Sequence, residues 1–394
     1  MAAGGPALQA VAAAVATACG VPQPRQPSGA VDWSSFVQTV DRHRVAPLVQ
    51  RSGWLEEAGA PADVSAAVRE RARGEALRCL RLLELQRDTL EALAAAGVDA
   101  VVLKGTALSI EAYDDPTARA PGDLDVLVDP ASIPRAVDAL RSVGLEWYGW
   151  RTPADWDRER LGPEEVERLT NLPALPDVTL QRAGLQVELH WRLFPNPYLM
   201  PVDPRWLKAP RRIEIDGTVL PTLPLAAHWL YVLAHGSRHR WSQMKWLADV
   251  PALALRRTEL LRSGALQAVD AGHRRLLATG LLVAEGTLGG FLTREVRAWA
   301  SNVAGTRMLV RRSLAAVQAD HDPHERVGPL AMPGLVLERL ALRADARYRL
   351  NELRLLLLTA GRAQAIEDPG LAELVAGPVR WSRRAVRRLA RRRG

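Results

Sequence analysis

The chain is poor in cysteine, in lysine and in long apolar runs. Only two cysteines, Cys19 and Cys79, occur in 394 residues. They cannot build a disulfide framework or a cysteine-ligated zinc site, and such sparse use fits a reducing compartment. No apolar run reaches the roughly 18 to 20 residues that span a bilayer, so no transmembrane segment is expected. The alanine-rich start, Met1 to Cys19, lacks the Lys or Arg that precedes the apolar stretch of a secretory signal. The expected location is therefore cytoplasmic. Of the 52 basic residues only Lys104, Lys208 and Lys245 are lysine. An Arg and Ala bias of this kind looks like a coding preference, which makes each lysine worth inspection.

The net charge of +8 suggests nucleic-acid binding until its location is traced. Residues 380 to 394 hold eight arginines and no acid, and the remainder carries 44 residues of each sign. The body is neutral, so it lacks the basic track that a long nucleic acid requires. Within the tail, Trp381, Ala385 and Leu389 recur every four residues among the arginines. As a helix it would suit an anionic membrane surface or RNA, with peripheral membrane attachment one consequence. As a frayed terminus it would bind neither. At 48% hydrophobic and 24% charged residues, the rest is ordinary globular chain, long enough for two or three domains.

Residues 8 to 19 and 35 to 50 have the spacing of short amphipathic helices. From about Glu75, Leu77, Leu80, Leu83, Leu85, Leu90 and Leu93 predict a long helix that Gly97 stops. Val98 to Leu103 reads as a buried strand, followed by Lys104-Gly105-Thr106 and a helix to Tyr113. Asp123 to Val128 predicts a second strand, with a helix over 130 to 143 behind it. An irregular stretch, 150 to 177, reads as an insertion or lid. Two hairpins follow, 178 to 190 about Arg182-Ala183-Gly184 and 212 to 220 about Asp216-Gly217. Residues from Pro224 to about Ala365 are helical in pattern. The alternating β and α elements predict an α/β or α+β core with a small sheet, plus mostly helical N- and C-terminal regions. The regions are 1–75, 76–223 for the core, 224–375, and a tail over 376–394.

Asp123-x-Asp125 on a strand projects two carboxylates from one face, where they can share a hard divalent cation. Alone, the pair equally describes a strand end carrying solvated acids. Gly105 stands at a strand-to-helix junction, where free N–H groups and the positive helix end can hold phosphate; a tight turn needing positive φ explains it as well. Glu188 supplies a third acid, and His190 is the next residue on its face. His235 and His239 share a helical face, but a zinc site there lacks a third ligand.

The order of phosphate-holding turn, Asp-x-Asp strand and later acid resembles the DNA polymerase beta nucleotidyltransferase superfamily, with Thr106 in place of the usual second Gly or Ser. A closer resemblance is to a bacterial family of uncharacterised nucleotidyltransferases. It rests on Leu103 to Leu108, Tyr113, Arg119, Asp123-Leu-Asp125, Glu188-Leu-His-Trp191, and His235 to Trp241 through Lys245 to Asp249, and covers about residues 80 to 255. The resemblance implies a polymerase-beta-like core and transfer of an NMP from an NTP to an unidentified hydroxyl or phosphate acceptor. It implies Mg²⁺, with Mn²⁺ the alternative, on Asp123, Asp125 and Glu188, and gives Lys104, Gly105, Thr106, Arg119, His239 and Lys245 to the nucleotide. Asp249 would line the cleft, with Trp241 and Trp246 packed between domains. The competing expectation is a non-catalytic nucleotide-binding or membrane-recruited assembly protein of the same fold, which would not need three converging acids.

Overall fold

The computed structural model describes residues 4–147, 175–215, 217–319 and 332–360. Most of the irregular stretch at 150–177 and all of the arginine tail lie outside the described residues. The elements before the sheet are α1 (Pro6–Ala18), β1 (Gln23–Pro24), α2 (Trp33–His43), α3 (Ala46–Arg51), α4 (Trp54–Glu57) and α5 (Ala62–Ala95). The helix expected over 35 to 50 is broken in two, because Arg44 adopts the left-handed conformation (φ 53°, ψ 49°) and ends α2. Alanine lets α1 bury nearly every side: Ala10 through Ala16 are all buried, so it is a core helix rather than an amphipathic one.

Helix α5 starts well before the expected Glu75. Its buried stripe is Val64, Val68, Ala72, Cys79, Leu82, Leu85, Gln86, Thr89 and Leu93, while Leu77 and Leu80 are half exposed at 51% and 53%. Counting leucines thus missed the first three turns, whose small and β-branched residues pack just as well. Gly97 does stop it, at φ 67°, with Val98 N–H donating to Leu93 O at 2.9 Å.

The sheet is assembled from β2 (Ala100–Val102), β3 (Leu124–Val128), β4 (Glu146–Trp147), β5 (Asp177–Arg182), β6 (Leu185–His190), β7 (Arg211–Ile215) and β8 (Thr218–Thr222). Their order is β4-β5-β6-β3-β2-β8-β7. Strand β3 runs parallel to β6 and antiparallel to β2, and both expected hairpins form. The result is the expected α+β architecture, a mixed sheet with helical regions on either side in sequence. Between these strands lie α6 (Thr106–Tyr113), α7 (Ile133–Ser142) and the single turn α8 (Arg205–Lys208).

All five β3 residues are buried, which a strand covered on both faces requires. Val126 and Val128 join Val187, Leu189, Leu85 and Leu140 in the core under α5 and α7. Leu127 faces the other way, into a core with Leu103, Phe194, Tyr231 and Tyr348. By strand alternation Asp123 and Asp125 share that second side. It is covered by helices of the C-terminal region, above all α9 (Leu225–Arg238).

After α9 come α10 (Met244–Arg256), α11 (Ser263–Ala268), α12 (Arg274–Leu288), β9 (Gly289–Gly290), α13 (Arg294–Asn302), α14 (Thr306–Gln318), α15 (Met332–Ala341) and α16 (Ala346–Ala360). The boundary expected at residue 75 falls inside α5, and the N-terminal helices share one core with this region: Phe36 and Val40 join Trp241, Leu247 and Leu277. Strand β1 also pairs with β9. Among the described residues no helix is long and apolar enough to cross a membrane.

A buried histidine fastens the N-terminal region to α10. His43 Nδ1 accepts from Met244 N–H at 3.1 Å, and burial, reinforced by the Arg42 charge, pushes the imidazole down to about 3. A histidine in the unfolded chain titrates near 6.5, so between these values the unfolded state binds the extra proton and stability falls as pH drops. From pH 7 to pH 5 this one group should remove about 2 kcal/mol. Urea unfolding of His43→Gln at the two pH values should show a loss smaller by that amount; equal losses in variant and parent would refute the assignment.

Candidate active site

Five elements converge on one side of the sheet: the β2–α6 turn, β3, β6, α9 and α10. Strand register puts Asp125 beside Glu188, and Leu127 beside His190, on the parallel pair β3 and β6. Residues two apart share a face, so Glu188 and His190 flank Asp125 on the side where Asp123 also lies. One ligand atom each from Asp125, Glu188 and His190 lies within 4.8 Å of the others. Among the described residues this is the group that can hold a metal ion; His235 and His239 belong to no such group.

The structure departs here from the expected trio. His190 takes the place expected for Asp123 in the tight cluster, while Asp123 is joined through Lys104. The Lys104 ammonium lies 3.2 Å from Asp125 Oδ1 and 3.6 Å from Asp123 Oδ1. His190 Nε2 lies 3.2 Å from Asp125 Oδ1 and 3.3 Å from Glu188 Oε2. One ammonium and one imidazole therefore sit among three carboxylates, with Asp177 a fourth acid 3.8 Å from His190 Nδ1.

Electrostatics follows this arrangement. Burial works against the charged form of Lys104, but Asp123 and Asp125 overcome it and hold its pKa well above the usual lysine range. For Asp125, burial is outweighed by the Lys104 charge and the His190 hydrogen bond, and the carboxyl is held below its ordinary range. His190 is raised in spite of burial, by its bond to Asp125 and the charge of Asp177. Glu188 is pushed up to about 7, first by burial and then by the charges of Asp125 and Asp123, against the His190 bond. One oxygen remains unserved: Asp125 Oδ2 is buried with no hydrogen-bond partner. A buried carboxylate oxygen without a donor is costly, and an oxygen-seeking cation would satisfy it. The donors fit a divalent metal on that ground.

The β2–α6 turn has the backbone expected of a phosphate-holding loop. Gly105 has φ 67° and ψ −125°, a combination that side chains resist, and it precedes the first residue of α6. The hydroxyl of Thr106 is turned away from it. Thr106 is buried and donates to Gln86 Oε1 at 2.6 Å, so the side chain ties α6 to α5, and only the backbone there can meet a ligand.

Arg119, expected at the nucleotide, and Asp249, expected to line the cleft, are bound to each other. Arg119 Nε lies 2.9 and 3.1 Å from the two Asp249 oxygens, and Tyr113 Oη donates to Asp249 at 3.0 Å. Arg119 and Asp249 are 5% and 1% exposed, a buried brace between the core and α10.

His235 faces Lys104, Nε2 to Nζ 3.4 Å. Burial and then the Lys104 charge lower its pKa well below the usual histidine range. Its ring lies 4.6 Å from that of His239 and 5.6 Å from that of Trp246. Trp241 is fully buried. Arg240 and Trp241 both have positive φ, turning the chain so that the indole lies over Gly236, where a Cβ would come within 2.2 Å of it. This turn returns the chain into α10 and brings Lys245 beside the site. The Lys245 ammonium lies 5.7 Å from the Trp246 ring.

His190 was the residue that sequence reasoning left without a role, although its spacing from Glu188 carried the signal. The sequence model of a family described as uncharacterised nucleotidyltransferases matches residues 29–289, more than half of the chain. No curated protein and no solved structure matches it.

Proposed function

The chain belongs to the uncharacterised nucleotidyltransferase family, and from that premise we propose that it moves an NMP from an NTP to a hydroxyl or phosphate acceptor with Mg²⁺ as cofactor. The observation that carries this reading is the carboxylate cluster on β3 and β6, with Asp125 and Glu188 in register and one Asp125 oxygen unserved. Asp123, Asp125 and Glu188 would hold the cation, with His190 Nε2 within the same reach. Mg²⁺, or Mn²⁺ in its place, supplies positive charge that stabilises the attacking and leaving oxygens of an in-line displacement.

The side chains divide the remaining work. The acceptor oxygen forms a new bond to the α-phosphorus as the bond to pyrophosphate breaks, and Glu188 is the carboxylate placed to take the acceptor proton. Lys104, paired here with Asp123 and Asp125, would be free to neutralise phosphate charge were the aspartates to hold a divalent cation. Gly105 and the Thr106 amide hold phosphate oxygens at the start of α6. Lys245 adds charge from α10, and His239 borders the nucleotide beside Trp246. Arg119 acts at one remove, by keeping α10 against the core. The neutral body favours a small acceptor over a long nucleic acid.

The test is transfer of label from each α-labelled NTP, with Mg²⁺ and a cell extract as acceptor source. Label should appear in one acceptor class and disappear with Asp123→Ala. Transfer that survives Asp123→Ala would overturn the site; NTP binding with no transfer to any acceptor would favour the non-catalytic alternative.

A further inference from the structure

Among the described residues, ion pairing near the site includes neither Lys245 nor Arg44. Lys104 is paired with Asp123 and Asp125, and Arg119 with Asp249. Lys245 is 8% exposed, and no ion pair to it or to Arg44 occurs among the described residues. Arg44 comes from the N-terminal helices, far from the motifs in sequence. Its left-handed backbone directs the side chain across to the loop before β3, where a Cβ on Gly122, the neighbour of Asp123, would lie 3.4 Å from the guanidinium. The adjacent His43 is bonded to Met244, the neighbour of Lys245. The fold thus brings the segments that carry Arg44 and Lys245 together, near enough for the two charges to act on each other. Burial and then the charges of Arg44, Arg119 and Lys104 lower Lys245 well below the usual lysine range, with Asp123 opposing. Holding unpaired cations together costs stability in the absence of an anion, and an anion is what such a pair receives.

We infer that Arg44 is a phosphate-binding residue of the nucleotide site, which with Lys245 grips the β- and γ-phosphates of the NTP. The inference rests on the reading of the site as an NTP site. Triphosphate charge supplies the counter-ions that the two side chains lack, and the guanidinium fork suits bidentate contact with phosphate oxygens. The N-terminal helices thereby become part of the substrate site, through Arg44 at the α2–α3 junction.

The experiment is equilibrium binding of NTP and of inorganic tripolyphosphate, each with Mg²⁺, to the full chain and to Arg44→Gln and Arg44→Lys. Loss of one charge-assisted contact should weaken both ligands about 10- to 100-fold in Arg44→Gln, with Arg44→Lys recovering part of the loss. The ligand-free melting temperature of Arg44→Gln should equal or exceed that of the parent, since a like-charge contact has been removed. Unchanged NTP affinity would overturn the inference while leaving the proposed function standing. A loss for NTP but none for tripolyphosphate would place Arg44 at the nucleoside and overturn the phosphate assignment, and a fall in melting temperature would make its role structural. A parent chain that binds no NTP would overturn the proposed function and this inference together.

Discussion

Asp125→Asn should reduce nucleotidyl transfer by about 10³-fold or more, the largest functional effect of any single substitution in this chain. The residue keeps its shape, so the change isolates charge. Three partners depend on that charge: Lys104 at 3.2 Å, His190 at 3.2 Å, and the cation that would serve the buried Oδ2. Metal stabilisation of developing oxygen charge is worth several kcal/mol, and about 4 kcal/mol corresponds to that factor in rate. Initial rates of label transfer give the factor directly. Mn²⁺ titration followed by electron spin resonance gives an independent reading, and weaker Mn²⁺ binding should accompany the lost rate. Full activity in Asp125→Asn would remove β3 from the chemistry.

The largest stability effect belongs to a different carboxylate. Asp249→Ala should destabilise the protein by about 3 to 5 kcal/mol, the usual consequence of removing one member of a buried ion pair. Arg119 would be left 5% exposed with its partner gone, and the Tyr113 hydroxyl would lose its acceptor. The penalty comes mainly from the stranded guanidinium rather than from a lost attraction. The double substitution Arg119→Met with Asp249→Leu should therefore recover much of it. Chemical denaturation of the three variants measures both claims. A cost below about 1 kcal/mol in Asp249→Ala would show the pair to be solvated and free for the nucleotide after all.

These two aspartates show how differently sequence reports on acids of the same type. Asp125 was legible because its partners are local or periodic: Asp123 shares its face by strand alternation, and the β2–α6 turn precedes it by one short helix and a loop. Glu188 was legible as an available third acid, but its place beside Asp125 was not, since nothing local in the sequence states that β6 lies against β3. Asp249 sits in a motif-bearing helix and reads as a cleft residue. Its true neighbour, Arg119, is more than a hundred positions away, and no spacing rule relates them. Thr106 is a similar case, its hydroxyl taken by Gln86 of α5, a helix whose register the leucine pattern misplaced.

What the sequence determined by itself is therefore what short-range periodicity and residue chemistry encode. The scarcity of cysteine and of long apolar runs left a globular α+β chain without disulfides or an apolar span. The alternation of β3 and β6 put Asp123 with Asp125 and Glu188 with His190, and Gly105 marked a strand-to-helix turn that needs positive φ. The tertiary structure decided everything that depends on distant segments meeting. Register between β3 and β6 set Asp125 against Glu188; packing of α9 and α10 over the sheet paired Arg119 with Asp249 and left Lys245 without an ion pair among the described residues; and the α2–α3 junction carried Arg44 to Gly122. The physical reason is that a charge acquires its role from the charges within a few ångströms of it, and in this fold those neighbours come from segments as far apart as Arg119 and Asp249.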